Sequence, residues 1–177
     1  ITKGKLIVEL EDPSPNITLL GKLFSRMEHL IGQMAHIEKM HAFALKLQKK
    51  KLSTLITTAM DNLLLDQDNI RIEGGEEVIT ADPALLTSAL QNLIDNAYRH
   101  ATTFPITITC TKERLCVQNS GDPLKRPVEE ALQAFVTERG EGGLGLGLYI
   151  AQSVCELHNF HLNYTYEGGN HTFCIEF

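Results

Sequence analysis

The densest set of residues suited to ligand chemistry is the glycine-rich stretch at residues 143–150, GLGLGLYI. Its glycines alternate with leucines and lead directly into an apolar helical pattern. Glycine allows a backbone to approach a ligand closely, and the first turn of a helix offers unpaired N–H groups that suit phosphate. Gly143, Gly145 and Gly147 therefore predict a phosphate cradle, although a flexible linker or a tight strand–helix corner would have a similar sequence.

A second candidate site lies in a helix predicted to begin after an Asp82 cap and to end near His100. Asn92 and Asn96 are four residues apart and therefore share one face, in a helix interior where asparagine is unfavourable. Neutral amide oxygens suit Mg²⁺, which keeps several waters and takes further ligands from phosphates. The pair predicts either a magnesium site or two buried amides that bond loop backbone.

Two basic residues, Arg99 and His100, end the same helix. Positive charge there complements the helix dipole, and the arginine fork also offers several donors to a phosphate. The two residues predict either a phosphate contact or simple charge complementarity.

The surrounding elements predict an α+β domain. Asp82-Pro83 is typical of a helix start, and short alternating stretches bounded by turn residues predict strands. The predicted helices are residues 53–65, 82–100, 128–135 and 148–158, and the predicted strands are residues 70–73, 78–80, 106–111, 115–118, 160–166 and 171–177. Residues 119–123 are predicted as a loop and residues 137–142 as a mobile segment. We expect the helices to lie on one face of a mixed sheet.

The first 47 residues have a different periodicity. Pro13 and Pro15 break a first helix, and apolar residues then recur at heptad spacing in a helix predicted over residues 16–47. Two such helices have little core alone, so we expect a helical hairpin that dimerises into a four-helix bundle; the alternative is a hairpin packed on the same chain. The lysines at residues 46–51 predict a linker, which gives domains at residues 1–47 and 48–177.

The composition narrows the class of protein. The 177 residues carry a net charge of −6, and no basic face emerges, which argues against nucleic-acid binding. The four cysteines lack zinc-ligand spacing, and three in apolar surroundings predict reduced core thiols in the cytosol. No apolar run reaches the roughly 18 residues of a membrane span, so we expect no direct membrane contact. The chain begins with Ile1 and not with Met, and it begins inside a helical pattern, so the sequence is predicted to be a fragment.

The order of these motifs resembles that of sensor histidine kinases in two-component systems. Residues 92–100, NLIDNAYRH, resemble the family's N box, and residues 119–124, NSGDPL, resemble a variant of its first glycine box. Phe135 stands where an F box would be, and residues 143–150 resemble the second glycine box. The hairpin resembles the family's dimerisation domain. The resemblance implies a Bergerat-type ATP-binding sandwich, a fold shared with gyrase, Hsp90 and MutL.

The resemblance also implies roles for individual residues in binding ATP and Mg²⁺. Asn96 would hold the metal ion with Asn92 beside it, and Arg99 and His100 would face phosphate.

The later motifs would supply the other nucleotide contacts. Asn119 and Gly121 belong to the first glycine box, while Gly143, Gly145 and Gly147 would hinge a lid and expose N–H groups to the phosphates. Arg139 would reach the γ-phosphate from that lid, or else be a solvated arginine. Thr172 would support the adenine site, or else be an ordinary strand threonine.

Three departures from the family pattern stand out. Asn119 replaces the usual aspartate, and its amide oxygen can still accept from the adenine amino group, with affinity weakened by about 1 kcal/mol. In the same glycine box Pro123 stands where a second glycine is common, which stiffens the loop. The second departure is Ser88, which stands where many N boxes carry an acid, so the sequence does not identify a general base. No histidine lies in the phosphoacceptor pattern His-Glu-x-x-x-Pro, and residues 1–5 resemble the sequence that follows it. The acceptor histidine is therefore predicted upstream of Ile1.

The resemblance thus implies a protein-histidine kinase that binds MgATP, phosphorylates that upstream histidine and passes the phosphoryl group to a response-regulator receiver domain. It further implies a homodimer formed through the hairpin and a cytoplasmic fragment, whether or not the parent protein is anchored in the inner membrane. The fragment itself is predicted not to autophosphorylate. The alternatives are a degenerate nucleotide-binding module that acts through dimerisation and another Bergerat-fold ATPase.

Overall fold

The computed structural model describes residues 44–63, 65–134 and 145–177. The predicted heptad helix up to residue 43, the dimeric bundle, Phe135 and the lid segment lie outside the described residues. Residues 44–47 have no regular secondary structure and so do not continue the helix predicted over residues 16–47.

The described residues form helices and strands close to the predicted positions. The helices are α1 (Leu52–Leu63), α2 (Pro83–His100), α3 (Val128–Ala131) and α4 (Gly147–Leu157). The strands are β1 (Gln48–Lys51), β2 (Ile70–Glu73), β3 (Val78–Ala81), β4 (Ile106–Cys110), β5 (Arg114–Ser120), β6 (His161–Glu167) and β7 (Asn170–Glu176). None of the helices in the described ranges is long and apolar enough to cross a membrane.

Five of the strands form one mixed sheet in the order β2-β4-β5-β7-β6. Strands β2 and β4 run parallel, and the other neighbouring pairs are antiparallel. Alternate side chains of β4, β5 and β7 are buried, and α2 and α4 contact the sheet while α1 packs on α2. The prediction of an α+β fold with helices on one sheet face is therefore confirmed for this part of the chain.

The lysines predicted to form a linker instead lie in a strand. Strand β1 pairs antiparallel with β3, with Lys50 opposite Ile79, and its side chains are mostly exposed. The interpretation as a linker is wrong because an all-polar strand shows no alternation of apolar residues. Lysine suits a short edge strand, since its charge discourages pairing with a further strand.

Helix α2 is fixed at its first turn by several contacts. The Asp82 carboxylate accepts hydrogen bonds from the Ala84 and Leu85 N–H groups at 3.1 and 3.3 Å, a cap worth about 1 kcal/mol. The Asp82 N–H donates to His158 Nε2 at 2.9 Å. Because His158 Nδ1 lies 2.7 Å from the Val154 carbonyl, which can only accept, the ring is the neutral tautomer with Nδ1 protonated. This histidine joins the end of α4 to the start of α2.

Two of the four cysteines are free thiols, and the other two form a disulfide. Cys110 and Cys155 are buried free thiols. Burial, with a smaller contribution from a nearby glutamate, raises the pKa of Cys110 to about 11 and that of Cys155 to about 12, so both remain protonated at neutral pH. Cys116 and Cys174, which are 58 residues apart in sequence, form a disulfide. They lie directly opposite each other on β5 and β7.

This disulfide contradicts part of the sequence-based prediction. The sequence predicts three reduced core thiols, whereas the described residues contain two. A separation of 58 residues leaves no local signal, and only the register of β5 on β7 brings the two cysteines together.

We expect reduction of the Cys116–Cys174 disulfide to lower the free energy of unfolding by about 2–4 kcal/mol, because the reduced chain gains conformational freedom when unfolded. Urea unfolding followed by circular dichroism, with and without a phosphine reductant, measures the change. The double variant Cys116→Ser/Cys174→Ser is the control and should give one curve in both conditions. Coincident curves for the unsubstituted protein would contradict the prediction.

Candidate functional site

The predicted asparagine and glycine motifs meet where α4 begins beside α2. A Cβ atom on Gly147 would lie 3.1 Å from Asn92 Oδ1, so the absence of a side chain lets the two elements approach. Asn92 Nδ2 donates to the Ser88 carbonyl at 2.8 Å, and this bond leaves the amide oxygen beside α4. Asn92 and Gly147, 55 positions apart in the printed chain, are therefore neighbours in the fold.

Asn96 lies one turn further along α2 with a half-buried side chain. Its side chain forms no hydrogen bond or ion pair with the described residues, so the amide oxygen is available to a ligand. The described ranges also contain no group of three or more His, Cys, Asp or Glu residues that could hold a metal ion. From the described residues a cation here would be offered amide oxygens, which together with water and a ligand's own oxygens suit Mg²⁺.

The basic residues at the end of α2 lie at the surface. Arg99 Nε is 2.9 Å from an Asp95 carboxylate oxygen, with 58% of the arginine side chain exposed. Such an exposed pair contributes about 0.5 kcal/mol, so a phosphate could replace the carboxylate at little cost. The exposed His100 has its carbonyl oxygen 3.3 Å from the position that a Cβ on Gly121 would take. The end of α2 therefore borders the first glycine motif.

Asn119 and Ser120 belong to strand β5 and not to the loop predicted at residues 119–123. Asn119 is only 3% exposed, and its Nδ2 donates to the Ser120 carbonyl at 3.0 Å. The Ser120 hydroxyl accepts from the Thr103 N–H at 2.8 Å, and the Ser120 carbonyl accepts from the Thr102 N–H at 3.1 Å. The end of β5 is thereby tied to the segment that follows α2.

Gly121 lies against the closing hairpin. A Cβ atom here would stand 2.9 Å from His171 Cδ2 and Nε2, closer than ordinary contact permits. The Gly121 N–H donates to the Gly169 carbonyl at 3.0 Å. Position 121 therefore requires glycine, because any side chain there would overlap the His171 ring.

For Thr172 the structure favours the alternative of an ordinary strand threonine. Strand β7 buries His171 and Phe173, whereas Thr172 pairs with the exposed Gln118 and accepts from its Nε2 at 3.1 Å. Thr172 thus lies on the outer sheet face, where a groove of about 530 Å³ also exposes Cys174. Asn119 is on the opposite, buried face.

The residue directly opposite Asn119 in the strand register is His171. Sequence reasoning missed it, although a signal exists. Residues 171, 173 and 175 alternate with more polar neighbours, and Phe173 and Ile175 are apolar. Period-2 alternation therefore assigns His171 to the buried face.

The start of α4 offers uncapped N–H groups. Its N-cap position is Leu146, which makes no side-chain capping bond, and Gly145 precedes it with a φ of 67°, a conformation that favours glycine. With no side-chain cap from the described residues, these N–H groups and the positive end of the helix dipole suit an anion. The predicted residues Arg139 and Gly143 lie outside the described residues.

We expect Gly121→Ala to lower the free energy of unfolding by about 1–3 kcal/mol, because the new methyl group overlaps a histidine ring whose two nitrogens are both hydrogen-bonded. Thermal or urea unfolding measures the loss. Asp122→Ala is the matched control, since it removes an exposed side chain and keeps the backbone carbonyl; its effect should stay within about 0.5 kcal/mol. Equal stability of the two variants would contradict the prediction.

Residues 81–177 match the family described as histidine kinase-, DNA gyrase B- and HSP90-like ATPase. The chain is 30% identical over 183 residues to the sensor histidine kinase ArsS of Helicobacter pylori, an alignment that covers 99% of this chain and 43% of that protein. It is 32% identical over 97 residues to the sensor protein KdpD of Mycobacterium tuberculosis, covering 50% of this chain and 11% of the relative. The chain thus spans less than half the length of these curated relatives.

Solved structures share the fold. The Acinetobacter baumannii histidine kinase AdeS superposes with a TM-score of 0.75 at 16% identity, covering 98% of this chain and 91% of that one. Full-length ShkA in complex with AMPPNP superposes with a TM-score of 0.74 at 19% identity, covering 97% of this chain and 41% of that one. At identities this low, the similarity supports a shared fold and nothing further.

Proposed function

Because the chain belongs to the histidine kinase-, DNA gyrase B- and HSP90-like ATPase family, we propose that it binds MgATP between α2, the end of β5 and the start of α4, as the nucleotide-binding part of a protein-histidine kinase. One observation carries the proposal. Three separate motifs converge, with Gly147 against Asn92 and Gly121 against the His100 carbonyl. ShkA, which has the same fold, was solved with an ATP analogue, and this supports the nature of the ligand.

The phosphates would lie at the junction of α2 and α4. The uncapped N–H groups at Gly147 supply hydrogen-bond donors. Arg99 supplies an exposed positive charge at the end of α2, and the ring of His100 adds a further polar group there. Gly145, Gly143 and Arg139 complete this end of the site in the proposal.

The donors present fit a magnesium ion. Asn96 would hold it through its amide oxygen, with Asn92 beside it, since Asn96 is half-buried and has no partner among the described residues. When bound with ATP, Mg²⁺ neutralises negative charge on the phosphates. The protein's own part is to orient the amides and the helix terminus.

Asn119 would recognise the base. Its Nδ2 is engaged by the Ser120 carbonyl, so the oxygen is the end of the amide left to accept from an amino group such as that of adenine. A neutral amide is a weaker acceptor than a carboxylate, and we therefore expect modest affinity for ATP.

The activity of the whole protein follows by family analogy. ATP would phosphorylate a histidine of the helical bundle, and the phosphoryl group would pass to the receiver domain of a response regulator. The curated relatives bear the names of sensor histidine kinases and sensor proteins, which supports this assignment. Dimerisation through the hairpin and a cytoplasmic location remain proposals of the same kind.

We expect Asn96→Ala to weaken MgATP binding by at least about tenfold, because the metal loses a protein ligand. Isothermal titration calorimetry of the 177-residue chain in excess Mg²⁺ measures the affinity. Asn163→Ala is the matched control, since Asn163 is exposed on the outer sheet face, and it should bind ATP as the unsubstituted chain does.

The same titration in EDTA separates a metal ligand from a structural residue. Without Mg²⁺ the unsubstituted chain and Asn96→Ala should bind ATP with similar, weaker affinity. A tenfold difference that persists in EDTA would show that Asn96 acts other than through the metal.

Asn119 also favours a second candidate function, a nucleotide-free module that acts through dimerisation. Its neutral side chain stands where the family resemblance implies a carboxylate, and it is already bonded to the Ser120 backbone. Absence of any ATP-binding heat, together with a stable dimer in analytical ultracentrifugation, would support this candidate over the first.

A further inference from the structure

His171 is a buried, fully hydrogen-bonded side chain near the candidate site to which the proposed function assigns no role. It is 7% exposed, lies opposite Asn119 in the β5–β7 register, and has a partner on each ring nitrogen. Buried polar side chains with both groups satisfied are strongly fixed in orientation.

The bonding partners determine the protonation of the ring. Nε2 lies 2.8 Å from the Asp122 carbonyl oxygen, which accepts and cannot donate, so Nε2 carries the proton. In the neutral ring Nδ1 then accepts from the Tyr164 hydroxyl at 2.8 Å. Burial, and then the neighbouring Tyr166, raise the pKa of Tyr164, so this hydroxyl stays a donor at physiological pH.

Two further bonds hold the same short segment of backbone. The Tyr166 hydroxyl donates to the Gly121 carbonyl at 3.1 Å, and the Gly121 N–H donates to the Gly169 carbonyl at 3.0 Å. The rings of Tyr164 and Tyr166 also contact the His171 ring, with centroids 5.9 and 4.8 Å away. The β6–β7 hairpin therefore holds the backbone of residues 121–122, which lie two and three positions after Asn119.

We propose that His171 is a positioning residue of the nucleotide site, which holds the Gly121–Asp122 backbone as the wall at the base end of the proposed site. It acts through that backbone and does not touch the phosphates. The inference rests on the proposed function, because it assigns a role at the end of the site where Asn119 would meet the base. It also explains why position 121 must be glycine, since a methyl group would displace the ring.

The test compares ligands that include or lack a base. Calorimetry of the full chain with Mg²⁺ measures the affinities of ATP, GTP and tripolyphosphate for His171→Leu, His171→Gln and Tyr164→Phe. Thr165→Val is the control, because Thr165 neighbours Tyr164 but is exposed on the outer face. Circular dichroism establishes that each variant is folded.

We expect His171→Leu to weaken ATP binding about tenfold, the effect of one lost buried hydrogen bond to the main chain, and to leave tripolyphosphate affinity within about twofold. The ratio of ATP to GTP affinity should fall, because the wall at the base is loosened. His171→Gln should recover most of the affinity, since its amide N–H can replace Nε2–H as the donor to Asp122. Tyr164→Phe should weaken ATP binding by about threefold, because it frees Nδ1.

Different results would overturn different statements. If the unsubstituted chain binds none of the three ligands, the proposed function fails and this inference fails with it. If the unsubstituted chain binds ATP but His171→Leu binds it equally well, or loses ATP and tripolyphosphate to the same extent, the positioning role alone is refuted. Should His171→Leu not fold, Tyr164→Phe carries the same comparison, and unchanged ATP and GTP affinities in that variant refute the role.

Discussion

Strands β5 and β7 pair antiparallel over seven residues, from Arg114 opposite Glu176 to Ser120 opposite Asn170. Side chains alternate between the two faces of a strand, so this register determines which residues reach the helices and which reach the outer surface. A slip of one residue would turn Thr172 inward and His171 outward, and it would separate the two bonded cysteines. The glycine at position 121 fits only the arrangement that exists, with the histidine ring beside it.

Helix α2 is the second element on which the site depends, because it is both a core helix and the carrier of the asparagines. Its buried side is lined by apolar residues that include Leu86, Leu90 and Leu93, and burying a leucine contributes about 2 kcal/mol. This packing fixes the rotation of the helix and so directs Asn92 toward α4. The Asp82 cap and the hydrogen bond between Asp82 and His158 stabilise its first turn. The hydrogen bonds to Ser120 stabilise the segment after its last turn.

Much of this could be predicted from the sequence. The start of α2 at Asp82-Pro83 and its end at His100 are local signals, because caps and proline act within one turn, and both are confirmed. The closing hairpin follows from Gly168 and Gly169, which adopt φ values of 58° and 79°, as its tight turn requires. The family resemblance is confirmed by the match over residues 81–177. The described residues do not bear on the predicted bundle or on Arg139.

Two features could not be predicted, and each depends on a contact between distant parts of the chain. Strand β1 was not predicted because its lysines show no alternation of apolar residues. Its partner β3 is separated from it in sequence by a whole helix. The Cys116–Cys174 disulfide crosses 58 residues. His171 was missed although the alternation of residues 171, 173 and 175 indicates its burial, and only the β5–β7 register shows that it lies opposite Asn119.

The sequence by itself therefore determined the chemistry that the chain carries: two amides at helical spacing, glycines before a helix, and a polar residue at the end of a strand. These are properties of residue type and local spacing, which the printed order contains in full. The tertiary structure decided which of those groups share one space and which neighbours orient them. Strand register and helix rotation arise from burial of apolar surface contributed by the whole domain, and no short stretch of sequence contains that information.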